Sequence, residues 1–255
     1  MKLIDTHCHL YAEEFEADID LVMQRAASEG IEKFYLPAVD SESIDAMLAL
    51  SKKYPGKCIP MMGLHPCHVK AGYLKELDIV KSWLAKEKFA AVGEIGLDFH
   101  WDKTFTDQQY AALRMQIELS LQYDLPIILH TRDAMQETID VVKEFVPRGA
   151  KGIFHCFGGS YENALEIIGA GFYLGIGGVL TYKKSGLSEV LEKIDLQYLV
   201  LETDAPYLSP VPLRGKRNES SYLKYIIARL AAIKKTSVEE VARITSANAE
   251  KIFAF

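Results

Sequence analysis

The chain lacks several features at once, and each absence removes a class of function. No run approaches the ~18 consecutive apolar residues of a membrane span, so no membrane partner is expected. Met1 to Asp5 lacks the long apolar stretch of a signal peptide. The four cysteines, Cys8, Cys58, Cys67 and Cys156, contain no CxxC pair. They read as reduced thiols in a reducing compartment, and a cytoplasmic protein is the expectation. Basic residues are not in excess: 29 Lys and Arg stand against 35 Asp and Glu, a net charge of -6. That argues against a protein that grips nucleic acid through a broad basic surface. It leaves room for a nuclease, because bound divalent ions reverse the potential inside a site. Linkers, low-complexity tracts and readable internal repeats are also missing.

What is present is a long alternation. The 255 residues are 49% hydrophobic, enough for a substantial core. Strand-like apolar runs occupy residues 2–8, 33–38, 58–63, 90–93, 126–129, 151–154, 173–176 and 198–201. Helical patterns lie between and after them, at 19–29, 41–53, 73–86, 106–123, 135–145, 161–169, 187–193, 223–234 and 237–253. Asp107 and Ser237 stand where N-caps belong, and Glu240 is placed as a capping-box partner for Ser237. Strand and helix alternating in this way predict a parallel sheet. About eight such units in about 250 residues match an α/β fold of the (β/α)8 TIM-barrel type. We expect one domain over residues 1–255. A doubly wound open sheet is the rival, but it spreads its strand ends apart where a barrel gathers them round one mouth.

Six metal-liganding side chains recur at predicted strand ends: His7, His9, Glu94, His130, His155 and Asp204. The carboxyl ends of barrel strands are where such folds keep their active sites. Histidines and carboxylates gathered there point to a metal site. His7 and His9 are two apart on a strand and share a face, so both imidazoles can reach one ion. Asp5 lies on that face one layer deeper, placed to orient a ligand histidine through its other ring nitrogen. Cys8 and Cys156 sit directly beside candidate ligands and are expected on the opposite face.

Glu94 has two oxygens and is the choice for a ligand shared by two cations, with its flanking glycines allowing close approach. Asp204, ending the last strand, falls beside the first strand of a closed barrel. There it can bind the same ion as His7 and His9 and take a proton from an attacking water. Asp204 and Glu94 are therefore the catalytic pair. Glu202 reads as a hydrogen-bonding support. His65 and Arg132 are candidate substrate contacts, Arg132 because a guanidinium forks onto phosphate. Arg214, Lys216 and Arg217 form a short basic cluster that could grip phosphate, and Phe99, Trp101 and Tyr207 could stack on bases. His68 and His100 read as loop residues.

The segments Asp5–Leu10 (DTHCHL), Gly63–Pro66 (GLHP), Val92–Asp98 (VGEIGLD), Leu129–Ala134 (LHTRDA), Phe154–Gly159 (FHCFGG), Leu201–Leu208 (LETDAPYL) and Arg214–Glu219 (RGKRNE) occur in this order over almost the whole chain. Together they resemble the TatD family of metal-dependent deoxyribonucleases, within the wider amidohydrolase-like barrels. The resemblance implies a TIM barrel with two ions. His7, His9, Glu94 and Asp204 would hold one, and Glu94, His130 and His155 the other. It also implies metal-dependent phosphodiester hydrolysis, chiefly 3′-to-5′ exonuclease action on single-stranded DNA and RNA. Some relatives are instead associated with removing D-amino acids from tRNA. Three positions depart from the pattern: Tyr11 where Asp is common, Ser220 where Pro is usual, and Gly159 where a Ser-Gly or Thr-Gly pair is commoner.

The expected partner is single-stranded nucleic acid or a substrate derived from it, acted on by a monomer through a water activated by two divalent ions. Four histidines suit Zn or Mn better than Mg, although an exchangeable second site can work with Mg. The rivals are an ester or amide hydrolase on the same barrel, such as a D-aminoacyl-tRNA deacylase, and a degenerate barrel kept for binding. The first lacks the strand-end Lys that bridges metals in some amidohydrolases; the second would not need all six ligands.

Overall fold

The computed structural model describes residues 1–253, so the last two residues of the expected 1–255 domain lie outside the described residues. The first half of the chain forms β1 (Leu3–Asp5), α1 (Ile19–Ser28), β2 (Ile31–Pro37), α2 (Ile44–Lys53), β3 (Cys58–Met61), α3 (Tyr73–Leu84), β4 (Val92–Asp98) and α4 (Thr106–Gln122). The second half forms β5 (Ile127–Arg132), α5 (Met135–Phe145), β6 (Gly152–Phe154), α6 (Tyr161–Gly169), β7 (Tyr173–Ile176), α7 (Leu187–Lys193), β8 (Leu199–Leu201), α8 (Leu223–Lys234) and α9 (Val238–Ile252). No helix among the described residues is long and apolar enough to cross a membrane.

All the strand pairs are parallel, and they fall into two ladders, β1-β2-β3 and β4 through β8 in order. Backbone hydrogen bonds close both seams. At β3–β4, the Ala90 amide donates to Pro60 O (3.0 Å), Met62 to Ala91 O (3.1 Å) and Gly93 to Met62 O (3.0 Å). At β8–β1, the Thr6 amide donates to Leu201 O (3.0 Å) and Asp204 to His7 O (2.9 Å). The sheet therefore closes into a (β/α)8 barrel, and the open-sheet alternative falls.

Alternation along the strands splits the apolar residues into two clusters. Ile4, Tyr35, Met61, Ile128, Ile153 and Val200 pack together, and Ile252 and Phe253 at the end of α9 pack against them. Their strand neighbours, such as Leu3, Phe34, Leu129, Phe154 and Leu201, join the larger cluster shared with the helices. Ile127, Ile128 and Leu129 are fully buried, as expected of a strand covered on both faces.

Several boundaries differ from expectation. β1 ends at Asp5 rather than at residue 8, because the chain leaves the ladder before the His-Cys-His segment. β4 runs on to Asp98 instead of ending at Gly93, with a register shift against β5 between Val92 and Ile95. Glu94 sits in that irregularity, the kind of feature that re-aims a side chain. Asp107 lies inside the first turn of α4, whose cap position is Phe105. Ser237 does cap α9 by accepting from the Glu240 amide, but the Glu240 carboxylate pairs with Arg243 instead of completing a box.

Asp5 ties the β8–β1 seam. Its carboxylate accepts from the Thr203 amide (3.0 Å), the Thr203 hydroxyl (2.6 Å) and the Ser220 hydroxyl (2.6 Å). Ser220, the departure from the usual Pro, is thus a buried partner of Asp5. Asp5→Ala leaves these donors unsatisfied and is expected to cost about 3 kcal/mol or more. Asp5→Asn, which keeps one acceptor, should lose clearly less. Urea unfolding of the two variants beside the parent checks this.

Candidate metal centre

The seam that closes the barrel also assembles the site. The Asp204 amide donates to His7 O, and the His9 amide to Ala205 O at 2.7 Å, so the segment after β8 is laced to the segment after β1. Asp204 adopts a left-handed backbone (φ 57°), which Asp tolerates better than most residues. The Glu94 amide reaches across to Ala38 O, 3.2 Å away. All six predicted side chains converge at the carboxyl ends of the strands. His7, His9, Glu94 and His155 are buried, and His130 and Asp204 are partly so.

Around one end of the Glu94 carboxylate, His7 Nε2 lies 3.2 Å from Oε2 and His9 Nε2 lies 3.6 Å from it. The same two nitrogens are 3.2 Å from each other, and 3.6 and 3.7 Å from Asp204 Oδ1. Around Oε1 stand His155 Nε2 at 2.9 Å, His130 Nδ1 at 3.0 Å and His65 Nε2 at 3.3 Å. The donors group within 4.8 Å as His7/His9/Glu94, His7/His155/Asp204 and His65/Glu94/His130. The sets interlock more than the expected division into two did: His155 is grouped with His7 and Asp204, and His65 joins Glu94 and His130.

Hydrogen bonds fix which nitrogens face inward. The Tyr11 hydroxyl has one proton, and Pro37 O, 2.6 Å away, can only accept it. His9 Nδ1, 2.9 Å from the same oxygen, must then be the donor, which leaves the His9 Nε2 lone pair facing His7, Glu94 and Asp204. Burial first, then the charge of neighbouring histidines, pushes His7 down to about 4 and His9 down to about 3, so both are neutral imidazoles. Burial raises Asp204 to about 8. Burial also acts upward on Glu94, but the charges of His155, His65 and His7 and the His130 hydrogen bond outweigh it and hold the carboxyl well below its usual range.

The His9 lone pair, the Glu94 carboxylate and the Asp204 carboxyl converge here, with His7 Nε2 among them, and a divalent cation can bind such a set together. Bonds of about 2.0–2.2 Å at ordinary coordination angles put neighbouring donors roughly 3.0–3.6 Å apart, close to the separations here. Nitrogen and carboxylate oxygen suit Zn or Mn. The residues present therefore fit a divalent metal.

The outer nitrogens of the other histidines have different partners. His130 Nε2 is 3.0 Å from Asp98 Oδ2, which turns Nδ1 toward Glu94. Burial works against the His130 charge, but its bonds to Asp98 and Glu94 outweigh that and raise its pKa. His155 Nδ1 lies 3.3 Å from Glu202 Oε1 without the alignment of a hydrogen bond, and Glu202 also accepts from the Cys156 amide. His7 Nδ1 has no partner among the described residues. Asp5, expected to serve it, instead bonds the His7 backbone amide, Thr203 and Ser220. His65 Nδ1 accepts from the Cys67 amide (3.1 Å), so its neutral ring carries the proton on Nε2, facing Glu94.

A cleft of about 880 Å³ opens over these groups, and His65, Arg132, Trp101 and Tyr207 are among its lining residues. Arg132 stacks over the exposed Trp101 ring at 4.9 Å rather than pairing with Asp133, which pairs with His100 at 2.9 Å. His68 also lines the cleft and pairs with Asp40 at 2.7 Å. Cys8 is buried away from the site as expected, but Cys156 lies past the end of β6 with φ 47° and lines the cleft. The basic cluster splits: Arg217 turns inward to Asp18 at 2.8 Å, while Arg214 lies over Tyr182 at 4.4 Å. The glycines beside Glu94 serve strand contact rather than ions. A Cβ at Gly93 would meet the Ile128 side chain, and one at Gly96 would lie 2.0 Å from His130 O.

Asp98 was not singled out from sequence, and Tyr11 stood only as a departure from the family pattern, with no role assigned. Asp98 had a signal: four residues after Glu94, it shares Glu94's face once β4 is extended. Tyr11 had none, because its hydroxyl is oriented by a carbonyl 26 residues away.

Gly175 makes room for the support beneath His155, since a Cβ there would lie 2.2 Å from Glu202 Oε2. Gly175→Ala is expected to displace Glu202 and lower the thermal midpoint by several degrees, at about 2–4 °C per kcal/mol. Calorimetry beside a Gly169→Ala control, where a Cβ meets nothing within 4 Å, checks it.

Residues 4–254 match the family model described as TatD related DNase. The uncharacterized metal-dependent hydrolase YabD of Bacillus subtilis is 39% identical over 252 residues, covering 98% of each chain. The 3′-5′ ssDNA/RNA exonuclease TatD of Yersinia pseudotuberculosis is 30% identical over 257 residues, covering 98% of this chain and 99% of its own. The crystal structure of YjjV, a TatD homologue from Escherichia coli, superposes with a TM-score of 0.93 at 31% identity, covering 99% of this chain and 98% of that one. With this cleft of histidines and carboxylates at the mouth of a (β/α)8 barrel, the chain belongs to the TatD family of metal-dependent hydrolases.

Proposed function

We propose that the protein is a phosphodiesterase that shortens single-stranded DNA or RNA from the 3′ end, using two divalent ions. The observation that carries this reading is Glu94: one buried carboxylate presents each of its oxygens to a different set of imidazole nitrogens. Likeness to a relative named as a 3′-5′ ssDNA/RNA exonuclease supports the substrate. In this reading His7, His9, Glu94 and Asp204 hold one ion, and Glu94, His130 and His155 the other. When bound, such ions supply Lewis acidity, lower the pKa of water and clamp the attacking and leaving oxygens of an in-line displacement.

The chain's own residues do the rest. Asp204 lines the cleft beside His7 and His9, placed to take a proton from the attacking water once held as the carboxylate by a bound cation. Arg132 presents its guanidinium to the phosphoryl oxygens, and His65, whose Nε2–H faces Glu94 3.3 Å away, lines the cleft beside them as a substrate contact. Trp101 and Tyr207, both more than half exposed at the cleft, offer faces for bases.

The direct test is hydrolysis of a 5′-labelled single-stranded oligonucleotide by chelator-stripped protein, with Mg2+, Mn2+ or Zn2+ added back. A metal-dependent ladder is expected, with Glu94→Ala at least ~100-fold slower. No cleavage by folded, metal-loaded protein would sink the nuclease reading and turn attention to ester substrates, D-aminoacyl-tRNA first. Tyr11→Phe removes the acceptor that orients His9. Metal affinity, measured by competition with a fluorescent chelator, should fall about 10–100-fold. Tyr11→Asp, which restores an acceptor, should recover it.

A further inference from the structure

The loops round the cleft mouth are unevenly charged. Those after β1 and β2 carry exposed Glu13, Glu14, Glu16 and Glu42, and Asp18 there is taken by Arg217. The loops after β7 and β8 carry exposed Lys183, Lys184, Arg214 and Lys216, none of which makes an ion pair among the described residues. These two basic loops are joined: the Tyr182 hydroxyl donates to Ser209 O at 2.9 Å, and the Val211 amide to Thr181 Oγ1 at 2.8 Å. Between them and α8 lies a second groove of about 450 Å³, lined by Tyr182, Lys183, Ser188 and Arg229 and by one acid, Glu189; Lys184 and Arg214 stand outside the lining. Arg214 packs over the Tyr182 ring at its edge. Tyr207 and Leu208 line the metal-side cleft and Val211 lines the second groove; all three are exposed, with buried Ser209 and Pro210 linking them.

We infer that this second groove binds the phosphate backbone of the single strand whose 3′ end lies in the metal-side cleft. Residues 207–211 carry the strand across, and Lys183, Lys184 and Arg214 neutralise its phosphates. A polyanion leaving the mouth is repelled by the glutamates after β1 and β2 and drawn to the cations after β7 and β8. The Ser188 hydroxyl, which accepts from Arg229 at 2.9 Å, offers its own proton to phosphate, and the Tyr182 ring gives one base a stacking face. The site explains how a chain of net charge -6 holds a polyanion: four exposed cations without ion-pair partners among the described residues stand together on one side of the mouth, although most of its Lys and Arg lie elsewhere.

This inference rests on the phosphodiesterase reading, and two substrates separate them. The p-nitrophenyl ester of thymidine 5′-monophosphate fills the metal-side cleft alone; a single-stranded 20-mer also reaches the groove. In the variant Lys183→Glu/Lys184→Glu/Arg214→Glu, kcat/KM for the small ester should stay within about 2-fold. For the 20-mer it should fall by more than 10-fold. The log–log salt dependence of 20-mer binding to Glu94→Ala protein should be shallower by about 2 once the three cations are reversed, at roughly 0.7 per phosphate contact. Unchanged cleavage and salt dependence for the 20-mer would overturn the groove, as would equal losses on both substrates. If the parent protein cleaves neither substrate, the phosphodiesterase reading itself fails.

Discussion

A carboxylate buried among imidazoles is the constraint on which the site depends. Glu94 has almost no exposure, and five histidine nitrogens stand within 3.6 Å of its two oxygens. An isolated buried charge is costly, so a fold that keeps one must surround it with compensating groups. The histidines can compensate by holding protons or by sharing cations with the carboxylate. His9 is barred from facing Glu94 as a donor while its proton is held by Tyr11, and burial keeps His7 neutral. On that side of the carboxylate, a shared cation would engage Glu94, both imidazoles and Asp204 together.

The barrel exists around that arrangement. β8 must return beside β1 for Asp204 to reach His7, and the closure there uses backbone bonds plus the buried Asp5–Thr203–Ser220 tie rather than a regular ladder. β4 must depart from regular pairing for Glu94 to reach the centre. Stability and chemistry therefore share residues at both places: Asp5 holds the seam that positions two histidines, and the shift in β4 aims the central carboxylate.

Much of this was legible in the sequence, for physical reasons. Strands buried on both faces are apolar throughout, so β5 and β7 stood out, and amphipathic spacing marked α5 through α8 with their observed bounds. The six candidate ligands were legible because each interrupts an apolar run at its carboxyl end. Residues whose role is set by a distant partner were not. Asp98 looked like loop because a Gly-rich, acidic stretch does not resemble strand. Asp5 shares a periodicity with His7 and His9, but the ladder ends before that periodicity can act. The basic run at 214–217 gave no sign that Arg217 would turn to Asp18, 199 residues earlier.

The metal-side cleft and the charge asymmetry of its rim go together: Glu94 sits buried at the centre, and exposed cations sit to one side of the mouth. The central claim is that Glu94 lies between two ions. It is tested most directly by crystals grown with Mn2+ and measured for anomalous scattering. Two peaks flanking the Glu94 carboxylate, one beside His7, His9 and Asp204 and the other beside His130 and His155, are the predicted result. A single peak, or none, at full Mn2+ loading would contradict it.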